Sequence, residues 1–368
     1  MKYKKISFSD LLLNSANTAI TLQNADGSFP PGHNGPYHDQ ETPVRNTAHW
    51  LVTLAYISHN TSSDESISAA HRACDYLLSS VARPMNASFF CRTNPKKDFC
   101  NGLMGQAWAM EGLIAASRLL DRKDALQLAQ EVFHLHPFSK DDALWQRVAV
   151  DGSYLPPDGT FNHQLWFAAI AAQLQDTEAT QRAGHFLDQI GQHVQLYPNG
   201  IIFHKSKLGS VKLAYFNSVM ALARAAYAAL RRMKERRQLY SKSVGYHGFN
   251  LYAFAMLKQQ FPDHPFWTSK KINKMLAVTQ TDAFLKDLDH SHYGWPYNPP
   301  GLELAFAGEV FNLGHEYCQF WIKRQYEKTY DANIQNLLTR DTPDPQTSSA
   351  RLYEATRLTG QYELPTPP

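Results

Sequence analysis

One period recurs through this 368-residue chain and restricts its fold more than any other feature. Apolar residues return at i, i+3, i+4 and i+7, the pattern of helices that bury one stripe. Candidate helices fall at roughly 7–23, 44–59, 64–82, 102–120, 123–134, 140–148, 161–174, 177–193, 210–235, 246–260, 266–279, 302–324, 326–339 and 347–358. The connectors 24–43, 84–101, 149–160, 196–209 and 287–301 are long and rich in Gly and Pro. Strand-like alternation is scarce beyond NGIIFH at 199–204. Helices joined alternately by short turns and long loops read as hairpins, and about a dozen of them make roughly six hairpins, as in a closed toroid. The predicted fold is therefore all-α, an (α/α)n toroid or incomplete barrel of about six helical hairpins. In such a ring the long loops gather at one end and build a cleft. No linker-like composition divides the chain, so 1–368 reads as one catalytic domain.

A hydrophobic fraction of 43% with 20 Phe, 18 Tyr and 7 Trp supplies a large core and excludes disorder over most of the length. The net charge of +3 suits an anionic ligand but is far from the basic stripe of a nucleic-acid binder, so none is expected. No apolar run is long enough to span a bilayer. Cys74, Cys91, Cys100 and Cys318 show no CxxC spacing and read as reduced thiols. MKYKKISFSDLLLNSANTAITLQ reads as an amphipathic helix, not a signal peptide. A cytoplasmic location is expected for the chain as it stands, a periplasmic or secreted one if a signal had preceded it.

DGSFPP at 26–31 echoes DGSYLPP at 151–157, which reads as a repeated structural turn. The second copy leads into FNHQLWFAAIAAQL, where Asn162 and His163 open an otherwise apolar helix and Trp166 follows one turn later. In SVGYHGFNLYAFAML, Tyr246 and His247 open a second apolar helix in the same way. Such polar pairs either cap a helix or carry chemistry, and in a toroid the two helix starts can meet above the ring.

The Asn-His-x-x-Trp spacing of Asn162, His163 and Trp166 resembles the catalytic helix of the helical-toroid alginate lyases of the mannuronate-specific type. Tyr246 and His247, followed by Gly248, Phe249, Asn250 and Leu251, are similar to their Tyr-His-x-aromatic-x-Leu helix. The resemblance implies a polysaccharide lyase that cleaves a uronate-containing glycan by β-elimination. Asn162 would then bind the carboxylate, His163 and Tyr246 would exchange the C5 and O4 protons, and Arg237 would help neutralise the acid. Two departures bear on the substrate: Phe161 stands where those enzymes often carry a second Asn, and the arginine is displaced relative to the tyrosine.

The residue types suit that chemistry on physical grounds. A proton beside a carboxylate becomes acidic only when amide and guanidinium donors stabilise the developing dianion. A helix N-terminus adds partial positive charge and keeps a nearby histidine neutral.

Arg45, Asn46 and His49 lie within about a turn of one helix and read as cleft-lining groups, Arg45 alternatively pairing with Asp39 or Glu41. Trp166 and His247 are taken as substrate-binding neighbours of the catalytic pairs, and Trp295 and Tyr297 as a sugar-stacking platform or a loop anchor. Asp289, His290 and His292 fall short of a metal-ligand set, so neither metal nor cofactor is expected. The expected partner is an acidic oligo- or polysaccharide. A toroidal glycoside hydrolase remains open; it needs two facing carboxylates, and Asp39, Glu41, Asp151, Asp158, Glu303 and Glu309 supply candidates with no spacing that selects a pair. A uronyl C5-epimerase shares the C5 deprotonation, and a non-catalytic glycan-binding toroid would need only the aromatic loops.

Overall fold

The computed structural model describes residues 8–61, 63–205, 239–334 and 336–364. It is an all-α toroid. The described helices are α1 (Phe8–Ile20), α2 (Val44–Thr61), α3 (Asp64–Leu78), α4 (Gly102–Leu120), α5 (Lys123–Leu135), α6 (Phe161–Ala171) and α7 (Thr177–His193), followed by α8 (Tyr240–Gly245), α9 (His247–Gln260), α10 (Lys270–Val278), α11 (Asp282–Asp289), α12 (Pro300–Val310), α13 (His315–Thr329) and α14 (Pro345–Ala350). A 3-10 helix, Arg351–Arg357, follows α14.

The inner wall is a ring. α2 packs on α4, α4 on α6, α6 on α9, α9 on α12 and α12 on Arg351–Arg357, which closes back on α2. Outside it, α3, α5, α7 and α13 each cover the inner helix that precedes them. The two layers differ in sequence for a physical reason: an inner helix meets protein on every side, whereas an outer one meets it on a single stripe. In α6 every residue except His163 is buried, while α7 buries mainly Ala179, Ala183, Phe186, Leu187 and Ile190 along one face. Small residues let inner helices approach closely. A Cβ added to Gly112 of α4 would lie 2.9 Å from the carbonyl oxygen of Ala48 in α2.

The repeated Asp-Gly turns are structural. Asp26 Oδ1 accepts from the Ser28 amide at 3.0 Å and Asp151 Oδ1 from the Ser153 amide at 2.9 Å, with Gly27 and Gly152 at φ of 86° and 84°.

Three predicted helices come out differently, among them 326–339, which is helical only as far as Thr329. Residues 144–148 form the central strand of a three-stranded antiparallel sheet, with β1 at Phe138–Ser139, β2 at Leu144–Val148 and β3 at Tyr154–Pro157. Gln164 decides this locally: its side chain accepts from the Trp145 amide at 2.9 Å and donates to the Trp145 carbonyl at 2.8 Å, replacing helical partners. The predicted helix 302–324 divides into α12 and α13 at Asn312 and Gly314, both with positive φ. The predicted helix 210–235 lies outside the described residues. Among the described residues, no helix is long and apolar enough to cross a membrane.

Candidate active site

The long connectors meet at one end of the ring and enclose a cavity of ≈ 440 Å³ above the starts of α4, α6 and α9. Its chemistry begins at Asp158, in the connector before α6. This carboxylate accepts from the Leu103 amide at 3.1 Å and the Thr160 amide at 3.0 Å, tying the first turn of α4 to that of α6. Its Oδ2 also meets Nδ1 of His163 at 2.8 Å. Burial by itself would raise the Asp158 pKa, but His163 and the two amides outweigh it and hold the acid well below the carboxylate range. A carboxylate only accepts, so Nδ1 of His163 carries a hydrogen and Nε2 is the nitrogen left to the cavity.

The approach depends on Gly102, whose φ is +58°. A Cβ there would stand 2.4 Å from Asp158 Oδ2 and 2.9 Å from His163 Nδ1.

His204 comes from the connector 196–209 and lines the same cavity. Its ring centroid lies 4.7 Å from that of Tyr246, and its amide donates to Ser243 Oγ at 3.0 Å. Burial first, then the charges of Lys242, His163 and Lys205, push its pKa well below the ordinary histidine value. His204 is therefore a neutral imidazole at pH 7. Tyr246 sits between α8 and α9 with its hydroxyl 2.8 Å from that of Tyr37, and burial raises both phenols far above their usual range. Asn162 lines the wall with a buried Oδ1 that has no hydrogen-bond partner among the described residues.

The charged lining is cationic. Arg92, Lys97, Lys205, Lys242 and Arg351 face the cavity, and among the described residues no Asp or Glu does. Arg92 is held by Asp98 at 2.8 Å and Asp39 at 3.3 Å, Lys97 by Asp39 at 2.9 Å, and Arg351 by Glu303 at 2.9 Å and by Glu354. These carboxylates stand behind the wall. Among the described residues no cluster of His, Cys, Asp and Glu has a metal-binding arrangement.

The residues singled out in the sequence separate into two groups. Asn162, His163, Tyr246 and Tyr297 line the cavity, the Tyr297 hydroxyl donating to Asn34 Oδ1 at 2.7 Å. The rest of those described do not reach its wall. Arg45 is buried behind it, 3.1 Å from Glu41, 2.9 Å from Asn34 Oδ1 and 4.0 Å above the Trp108 ring. Asn46 donates to the Pro30 carbonyl, and His49 stacks on Tyr353 with centroids 4.3 Å apart. Trp166 is fully buried between Phe249 and Tyr252. His247 is held by the Ile202 amide at 3.2 Å and the Met275 carbonyl at 2.9 Å, and Trp295 donates to Asp289 and packs on Trp321. Arg237 lies outside the described residues. His204, Lys242 and Tyr37 escaped the sequence reading, since each comes from a connector or short helix with no period to mark it.

A full-length relative decides the family. The archaeal glycosylation protein Q of Haloferax volcanii is 44% identical over 370 residues, an alignment that covers 97% of this chain and 99% of that protein. The chain belongs to the archaeal glycosylation protein Q family. No family model matches it. Among solved structures, it superposes on a cellobiose 2-epimerase from Spirochaeta thermophila with a TM-score of 0.60 at 15% identity, covering 95% of this chain and 94% of that one. A D-mannose isomerase gives 0.61 at 12% identity, with 95% of each chain covered. An α-1,6-mannanase of Salegentibacter sp. gives 0.57 at 11% identity, covering 95% and 98%. At these identities the likeness is one of fold.

These findings overturn the resemblance to alginate lyases, and with it the expectation of a carbon–oxygen lyase working by β-elimination. The relative that covers the chain is a glycosylation protein, and the toroids just described are an epimerase, an isomerase and a mannanase. The physical reason for the false match lies in the motif itself. Two of its members, Trp166 and His247, have burial and partners that serve packing between α6, α9 and their neighbours. A helical ring of any activity needs such residues at its inner wall.

Proposed function

We propose that this protein is a sugar epimerase or isomerase that moves a proton at the carbon beside a carbonyl or carboxyl group, with an acidic sugar as substrate. The observation that carries the reading is a pair of histidines, His163 and His204, on one cavity whose charged lining is otherwise cationic. One imidazole removes the proton from carbon, and that proton is returned to carbon or passed to a sugar oxygen by the pair. Each proton-transfer group contributes on the order of 10²–10⁴ in rate. The nearby cations stabilise the enolate that forms between the two steps. Asn162, with its free amide oxygen, is suited to accept from a sugar hydroxyl. The aromatic wall of Tyr37, Tyr246, Phe249 and Tyr297 offers faces for a pyranose ring.

The relative's name supports a role in glycosylation, and toroids of this build include a cellobiose 2-epimerase and a D-mannose isomerase. The mannanase likeness points to hydrolysis, which needs two facing carboxylates. None of the candidates is available. Asp39, Glu41, Asp158 and Glu303 are engaged by Lys97, Arg45, His163 and Arg351, Glu309 binds the Thr359 and Gly360 amides, and Asp151 caps an exposed turn.

The test is proton NMR in deuterium oxide, with D-glucuronate, D-mannuronate and D-galacturonate beside glucose, mannose and cellobiose. Deuterium entering C2 or C5 names the carbon that is deprotonated, and its loss in His163→Gln and His204→Gln assigns the pair. Oligosaccharide shortening without exchange would replace this reading with hydrolysis.

A further inference from the structure

The cations around the cavity are not equivalent. Arg92, Lys97 and Arg351 each have a carboxylate behind them, so their charge is spent within the wall. Lys242 of α8 is built differently. Its ammonium lies 4.6 Å from the ring centroid of Tyr37, 5.3 Å from that of Tyr293 and 5.8 Å from that of Tyr246. Among the described residues no carboxylate pairs with it. The three rings hold the ammonium by its charge and cover the aliphatic stem, which fixes its position without neutralising it.

We propose that Lys242 is the specificity-determining residue of the cavity, the cation that reads a carboxylate or phosphate on the sugar and selects anionic over neutral substrates. This rests on the cavity being a sugar site. The groups facing the ammonium from the surrounding elements are Tyr37, Tyr246, Tyr293, His204, Lys97 and Lys205. None is a carboxylate, and burial raises the phenols of Tyr37 and Tyr246. Burial first, then Lys205 and Lys97, brings the Lys242 pKa down to about 8. An arriving anion restores the missing countercharge and raises that pKa again, so binding near pH 8.5 takes up a proton.

Calorimetric titration of the full chain with D-glucuronate, glucose 6-phosphate and D-glucose, in two buffers of different ionisation enthalpy, tests this. At pH 7 one of the two anionic sugars is expected to bind at least tenfold more tightly than glucose, and the tighter one identifies the anion. Lys242→Met should abolish that preference while moving glucose affinity less than twofold, and Lys242→Arg should restore most of it. At pH 8.5 the wild type should take up a proton on binding the anion and Lys242→Met none. Equal weakening of all three sugars in Lys242→Met, equal wild-type affinity for them, or binding without proton uptake each overturns the proposal. The two readings fail separately. Lys242-dependent anion binding with no deuterium exchange removes the epimerase and keeps the anion site, whereas equal exchange on glucose and glucuronate does the reverse.

Discussion

His163 Nδ1 and Asp158 Oδ2 are 2.8 Å apart, and this contact sets which nitrogen of the imidazole is basic. Asp158→Asn presents an amide that can turn its NH₂ toward the ring and reverse the tautomer. The expected result is a kcat for deuterium exchange lowered by about 10²-fold or more, with KM changed little, because Asp158 acts through His163 and touches no substrate. A matched loss in KM would mean that Asp158 shapes the pocket instead. Gly102→Ala should damage both parameters, since its Cβ would enter the Asp158–His163 contact.

The protein is expected to lose stability on mild acidification. Burial lowers the pKa of His136 and His247 to about 4, and pushes His49 and His204 well below the ordinary value in the same way. Histidines in the unfolded chain take up protons near pH 6.5 while these do not. The stability they hold is therefore complete above about 6.5 and declines as pH falls from there toward 4. At pH 5, His136 and His247 should each cost roughly 2 kcal/mol. Urea midpoints at pH 7.5, 6 and 5 check this, and His247→Gln should flatten the slope. A midpoint unchanged down to pH 5 would refute it.

Trp166 separates the packing role of its motif from the chemical one. Its ring stacks on Phe249 at 4.5 Å and on Tyr252 at 5.6 Å, between α6 and α9. Trp166→Ala should destabilise by about 3–5 kcal/mol through the cavity it leaves. His163→Gln, one turn before Trp166 on α6 but on the cavity wall, should leave the urea midpoint nearly unchanged and remove exchange activity. Similar midpoints for the two variants would contradict the division.

Arg351 joins the closing segment of the ring to α12 through Glu303 at 2.9 Å and to Glu354 in its own segment. Removing the guanidinium in Arg351→Met strands two buried carboxylates, and a loss of about 3–5 kcal/mol is expected. Glu303→Gln leaves the arginine one carboxylate and should cost less. Chemical denaturation of the pair measures both, and equal losses would show that Glu303 carries the whole interaction.

The ring itself was legible in the sequence because helical periodicity is local. Each turn of α2, α4 or α7 repeats its own evidence, and uniformly apolar runs such as α6 distinguish inner helices from outer ones. His163, Asn162 and Tyr246 were legible for the same reason, as polar interruptions at the starts of apolar helices. Their lyase assignment was wrong, since Trp166 and His247 match a motif while serving the core. Local pattern is enough to give the all-α toroid and the end of it where the polar residues collect. Tertiary structure alone decided that Asp158 orients His163, that His204 faces the same cavity from a connector, that Arg45 and His49 lie behind its wall, and that Lys242 stands among tyrosines. Except for Asp158 and His163, which are five residues apart, those relationships join segments tens to hundreds of residues apart, where side-chain direction and burial follow from ring closure and no local repeat records them.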